Sequence, residues 1–318
     1  MANKQQDESI IEWLLKGDPS IRWQTMKDLG KSPKREIFKE RSKIEQEGWG
    51  KMLMDFQDPA GTWGNNYYTP KWTSTTYTLL LLRRLGINPL NERCKLGCNL
   101  LLTNGLLNDG GINYSKTKKK RSETCITGLV FGILSYFKLK DERMEMILAY
   151  LIKNQMEDGG WNCRFPRGAT HASFHTTLMV LEALYEYQES FSNKNSKEIL
   201  RMRQRAQEFL LLHELYKSHR TGETVSTKMT MLSFPPRWHY TVIAALDYFQ
   251  KINHEKDERF SDAIKILTKK EKKGKWPLQS PIKGKIWFDM EPVRFPSRWN
   301  TLRALRILQW WNQERQRI

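Results

Sequence analysis

The stretch Gly159-Gly-Trp-Asn-Cys-Arg-Phe-Pro-Arg-Gly-Ala-Thr-His-Ala-Ser-Phe-His-Thr-Thr-Leu-Met-Val-Leu-Glu-Ala-Leu184 carries the plan of the whole chain. A glycine pair closes one helix, an aromatic residue follows, and a polar loop crosses over. An apolar helix then opens with His171 and His175 near its start. The same order returns upstream, where Gly61-Thr62-Trp63 leads to Trp72 and the run Leu79 to Leu82. Gly110-Gly111-Ile112 likewise leads to Cys125 and the apolar run 129–134. Gly61, Gly110 and Gly159 are each forty-nine residues apart, and a fixed period of this size predicts a repeat architecture.

Composition sets the frame for that expectation. With 318 residues, 39% of them hydrophobic, and twelve tryptophans, the chain can bury a sizeable core. No apolar run reaches the roughly 18 to 20 residues of a spanning helix. The opening Met1 to Glu8 has no apolar signal region, so a cytoplasmic protein is expected. Four cysteines at 94, 98, 125 and 163 are too few for a disulfide framework in a chain this long and read as free thiols or metal ligands. A net charge of +18 attracts polyanions of any kind, but the chain has no finger spacing, RNA-binding sheet motif or basic zipper that would specify nucleic acid.

Helix signals recur in alternation. Arg22-Trp23-Gln24-Thr25 is echoed by Lys71-Trp72-Thr73, Arg237-Trp238-His239-Tyr240-Thr241 and Arg298-Trp299-Asn300-Thr301. With Ser122-Glu123-Thr124-Cys125 and Phe174-His175-Thr176-Thr177 these make six apolar helix openings. More polar amphipathic helices are predicted near 8–16, 35–56, 90–104, 141–155, 200–213 and 258–272. Apolar helices alternating with polar-faced ones imply an inner and an outer layer, hence an all-α ring of six hairpins over residues 1–318. Residues 188–234 depart from the period and are expected as rim loops.

The segments Asp158-Gly159-Gly160-Trp161, Asp109-Gly110-Gly111-Ile112 and Asp58-Pro59-Ala60-Gly61-Thr62-Trp63 resemble the repeats of the prenyltransferase and squalene-cyclase superfamily. The resemblance covers nearly the whole chain and implies an α/α toroid that handles an isoprenoid, such as an isoprenyl diphosphate, in a central aromatic-lined cavity. A squalene-type cyclase carries an Asp-x-Asp-Asp-like acid, and this chain has none. Protein prenyltransferase β subunits hold zinc through Asp-x-Cys and a later His, and work with a partner subunit. Glu123-Thr124-Cys125 and His175 are similar to that pattern, with Glu in place of Asp. The resemblance therefore implies Zn on Glu123, Cys125 and His175, with Cys125 and His175 as the catalytic pair, and a protein partner.

The chemistry of these side chains is compatible with that assignment. Carboxylate, thiolate and imidazole are common zinc ligands, and three of them leave a fourth position for a substrate. Cys163 and His171 are alternate ligands that would instead close the site as a structural one. The basic loop Lys116 to Arg121, with Lys118, Lys119, Lys120 and Arg121, would clamp a diphosphate beside a helix N-terminus. Trp72, Phe174, Trp238 and Trp299 would wall the cavity and stabilise a developing cation. Plainer readings stand beside these: Cys125 as a small buried side chain, the lysines as a solvated rim, the tryptophans as core, and Cys94 and Cys98 as packing. The corresponding second function is a non-catalytic toroid that binds an isoprenoid, another lipid-like small molecule or a protein.

Overall fold

The computed structural model describes residues 10–30, 32–117, 121–191, 196–280 and 283–313. Helices account for its regular structure, and among the described residues the only β contacts are isolated bridges. Six helices form the inner layer: α2 (Pro19–Asp28), α5 (Thr75–Leu85), α7 (Thr124–Tyr136), α9 (Phe174–Ser190), α11 (Val242–Lys251) and α13 (Arg298–Asn312). Each of the six contributes side chains to one common chamber. The outer layer comprises α1 (10–15), α3 (Lys34–Ser42), α4 (Gly48–Asp55), α6 (Glu92–Gly105), α8 (Arg143–Lys153), α10 (Ser196–Leu212) and α12 (Ser261–Lys269).

The two layers differ as their sequences require. α7 buries every residue from Thr124 to Ser135 except Cys125, because it is covered on all sides. α8 buries Met144, Ile147, Leu148 and Leu151, the stripe of a helix with one face in water. α7 and α9 approach closely because Gly128 and Gly132 face Val180 and Ala183. A Cβ at Gly128 would stand 2.8 Å from the Val180 side chain. Ser173, Thr241 and Ser297 cap α9, α11 and α13, each accepting a backbone N–H from the first turn. Such caps are worth about 1 kcal/mol each.

The ring closes. α13 packs on α2, where Arg306 pairs with Asp28 at 3.1 Å, and Arg298 donates to the Trp13 carbonyl at 3.0 Å. α2 reaches α5 through the Trp23 indole, which donates to the Leu85 carbonyl at 2.9 Å. α9 meets α11 through Lys251 and Glu186 at 3.5 Å. The fold is an all-α toroid.

One device locks the hairpin turns. The backbone N–H of Trp63, Ile112, Trp161 and Trp276 each donates to a threonine hydroxyl of the next inner helix, Thr75, Thr127, Thr177 and Thr301, at 3.0, 2.8, 3.0 and 3.0 Å. Three of these residues also tie back to the preceding outer helix. The indoles of Trp63, Trp161 and Trp276 donate to the carbonyls of Leu53, Leu151 and Leu267. Every group in the device is buried, so each bond replaces one that water cannot supply.

Two expectations need correction. The helix expected over 35–56 is broken into α3, a short 3-10 turn and α4, because Gly48 takes φ 68° where Asp18 caps the new helix through the Trp49 N–H. The tryptophans expected at helix openings do not occupy one position. Trp23 lies inside α2, Trp72 and Trp238 precede their helices, and only Trp299 sits in a first turn. The threonine, not the tryptophan, is the common element. Segment 217–234 lies between α10 and α11 and delivers Phe234 onto the ring of Trp299, with centroids 4.2 Å apart.

Candidate ligand chamber and the thiol-histidine rim

The inner helices enclose a cavity of about 740 Å³. Its wall comes from the C-terminal turns of α2, α5, α7 and α11, the middle of α9, the first half of α13, and α3 at the mouth. Phe38 of α3, 73% exposed, marks where the chamber meets the surface. The C-terminal turns explain part of the composition, since exposed helix carbonyls favour cations. Lys27, Arg83, Arg84 and Lys251 all occupy such last turns.

Charge, rather than continuous apolar surface, distinguishes this cavity. Arg83 pairs with Glu186 at 2.9 Å, Arg84 with Glu182 at 3.0 Å, and Arg306 with Asp247 at 2.6 Å. Burial pushes the Glu186 and Asp247 carboxyls up, but Arg83 with Lys251, and Arg306 with Arg303, outweigh it and hold both below the usual carboxylate range. Arg303 is 2% exposed and reaches Asp247 only through Nε, at 3.3 Å. Burial lowers its pKa to about 10, and the neighbouring Arg306 and Arg84 guanidiniums act in the same direction against Asp247. Aromatic surface stands beside these charges in Trp23, Tyr136, Tyr185, Phe234 and Trp299.

The site residues expected from the sequence are distributed between this chamber and the N-terminal rim of the ring. Of the four expected wall aromatics, Trp299 alone lines the chamber. Trp72 donates its indole N–H to the Lys283 carbonyl at 2.7 Å, lies under Arg237, and lines a smaller pocket of about 60 Å³ with Phe234 and Trp287. Phe174 is core, packed on Phe209, His213 and Tyr240. Trp238 stacks on His239, with centroids 3.9 Å apart. Lys118, Lys119 and Lys120 lie outside the described residues, and Arg121 is exposed, its carbonyl accepting from Asn113 at 2.6 Å.

The expected metal ligands are not gathered around one position for a bound ion. Among the described residues no three His, Cys, Asp or Glu side chains form a group able to hold one. The cause is local. His175 Nδ1 accepts the Tyr240 N–H at 2.8 Å, so that nitrogen is engaged. Burial keeps this imidazole neutral by lowering its pKa. Interaction between the Cys125 and Cys163 thiols pushes Cys125 up and lowers Cys163 to about 6, and the Thr176 hydroxyl lowers Cys163 further. Glu123 is the N-cap residue of α7, where its side chain makes no capping bond. His171 is exposed and lies before the cap Ser173, off the helix that carries His175, so the two do not share a helical face.

The sequence did hold a signal for the chamber. Leu82-Arg83-Arg84-Leu85, Leu181-Glu182, Leu246-Asp247 and Leu302-Arg303-Ala304-Leu305-Arg306 place charges inside otherwise apolar inner helices. A charge there has no route to bulk water and must face either a partner or a cavity.

No family model matches the chain, and no curated protein matches it. Solved structures do. One is a protein from Actinoplanes, 14% identical over 92% of this chain and 90% of that one, with a TM-score of 0.46. A variant of the type II terpene cyclase MstE from Scytonema, in complex with the product merosterolic acid A, is 18% identical over 92% and 87%, with a TM-score of 0.45. Another variant, in complex with the substrate geranylgeranyl dihydroxybenzoate, is 16% identical over 92% and 86%, with a TM-score of 0.44. The chain is similar to these structures. Identities this low and scores below 0.5 leave the fold and the site to be judged from the chain's own geometry. Among the described residues, no helix is long and apolar enough to cross a membrane.

Proposed function

We propose that this chain is a ligand-binding toroid that holds a lipid-like small molecule of the isoprenoid class in its central chamber, rather than a metal-dependent transferase. The observation that carries this reading is the chamber itself, about 740 Å³ in volume and walled jointly by the stacked pair Phe234 and Trp299 and by buried ion pairs. Ligand pockets of roughly 300 to 1,000 Å³ combine apolar surface with a few fixed polar groups in this way. The isoprenoid class is what the resemblance of the Gly-Gly-aromatic repeats to the prenyltransferase and squalene-cyclase superfamily implies. An alkyl chain against Phe234, Trp299 and Tyr185 would gain roughly 25 cal/mol for each Å² of apolar surface removed from water. The transferase reading lacks a gathered metal site among the described residues, and the squalene-type cyclase reading lacks an Asp-x-Asp-Asp acid to protonate an alkene.

Isothermal titration of the full-length chain with farnesol and geranylgeraniol tests the proposal. Saturable binding is expected, and Trp299→Ala should weaken it about tenfold by removing the wall of the apolar subsite. No saturable binding of either alcohol, or binding indifferent to Trp299→Ala, would overturn it.

A further inference from the structure

The segment that leaves α10 carries a pair of imidazoles outside the chamber. His213 follows the last residue of α10, and the stretch His213-Glu-Leu-Tyr-Lys-Ser-His219 ends on a second histidine. The chain folds back between the two, because the His213 carbonyl accepts the N–H groups of Tyr216 and Lys217 at 2.9 and 2.7 Å. Lys217 fixes this return by bonding Glu214 at 2.7 Å and Asp262 at 2.5 Å. His219 Nδ1 thereby stands 2.8 Å from His213 Nε2, with the two rings at 88°.

The tautomer of His213 follows from its partners. Its Nδ1 lies 2.7 Å from the Phe209 carbonyl, which only accepts, so Nδ1 carries the hydrogen and Nε2 of the neutral ring keeps a lone pair. An imidazole whose other N–H is given to a backbone carbonyl is the arrangement in which histidines ligate metals, since that bond fixes tautomer and ring direction. Phe174 and Phe209 hold the ring in place, with centroids 5.2 and 4.5 Å from its own, and burial favours its neutral form. His219 is exposed, which gives an ion in solution access to the pair.

We propose that His213 Nε2 and His219 Nδ1 bind one divalent transition-metal ion of the copper(II) or nickel(II) kind, with water completing its shell. The spacing of the nitrogens selects the geometry. Two nitrogens about 2.0 Å from one ion and at a right angle to each other stand about 2.8 Å apart, whereas a tetrahedral ion would spread them to about 3.3 Å. Imidazole suits these ions, while magnesium and calcium take oxygen ligands instead. The ion replaces the hydrogen between the two nitrogens, and that hydrogen moves to Nε2 of His219, so both rings stay neutral. Among the described residues no third His, Cys, Asp or Glu completes a group around an ion, so the site is open rather than closed. A bound ion would clip the return after α10, where Lys217 bridges to Thr224, onto the end of that helix. This site is independent of the chamber and of what the chamber holds.

The test titrates the full-length chain with nickel(II) chloride at neutral pH in a buffer that does not chelate. One saturable site is expected, and His219→Ala, which removes an exposed ligand, should weaken it at least about tenfold while the melting transition persists. His213→Ala should do the same, and if that variant does not fold, His219→Ala alone decides. Cys163→Ser, at the thiol rim, should bind nickel as the wild type does, and magnesium chloride should not compete. Nickel affinity within about twofold of wild type in folded His219→Ala would overturn the site. So would its loss in folded Cys163→Ser, or the absence of saturable binding to the wild type.

Discussion

Asp247 of α11 accepts both Nε and Nη2 of Arg306 of α13, at 2.6 and 2.7 Å, while Arg303 reaches the same carboxylate at 3.3 Å. One negative charge thus anchors two positive ones across neighbouring inner helices. Asp247→Ala would leave both guanidiniums facing the chamber without that counter-ion. Removing one partner of a buried pair costs about 3 kcal/mol or more, so denaturant unfolding should show a loss of that order. A change below about 1 kcal/mol would mean that the pair is solvent-screened.

The same carboxylate makes stability depend on pH with a definite sign. Its pKa in the folded chain lies below the ordinary value, because Arg306 and Arg303 outweigh burial. The Asp247 contribution is therefore fully present above the unfolded carboxyl value near about 4 and is lost as pH falls through the folded value. Wild type and Asp247→Asn should differ in melting temperature at neutral pH and converge in strong acid. Parallel curves throughout would contradict the assignment.

Thr177 is the second place where one atom holds two elements. Its hydroxyl accepts the Trp161 N–H at 3.0 Å in a fully buried turn. Thr177→Val keeps the shape and removes the acceptor, so it should cost about 1 to 3 kcal/mol. Trp161→Ala, which empties an indole site and breaks the bond to the Leu151 carbonyl, should cost about 3 to 5 kcal/mol. Comparing the two separates the bond from the packing.

The four thiols should react in a fixed order. Cys163 is lowered to about 6 by its interaction with the Cys125 thiol, whereas burial raises Cys94 and Cys98. At neutral pH iodoacetamide should therefore label Cys163 first and leave Cys94 and Cys98 unlabelled in the native state. Peptide mapping after a short exposure checks this, and equal labelling of Cys94 would contradict the burial argument.

Local features of this fold were legible in the sequence, and convergent ones were not. Gly-Gly-Trp at 159–161 announces its turn because a helix stop and a buried indole are local properties. The threonines that receive the turn N–H groups are visible too, at Thr75, Thr127, Thr177 and Thr301, but the nearby tryptophans are more conspicuous and drift by a residue between hairpins. Glu123, Cys125 and His175 share the right ligand chemistry. That Tyr240 donates to the His175 ring and that Cys163 stands beside Cys125 follows only from the backbone trajectory. Arg84 and Arg303 look like solvated charges in isolation. Closure of the ring from α13 back to α2 places them around one cavity.

On the proposed reading, the chamber between the inner helices is a ligand site for an isoprenoid. A crystal structure of the full-length chain grown with farnesyl diphosphate tests it most directly. The prenyl chain should lie against Trp299 and Phe234 inside the ring. A chamber holding only ordered water, with the ligand bound elsewhere on the protein, would contradict it.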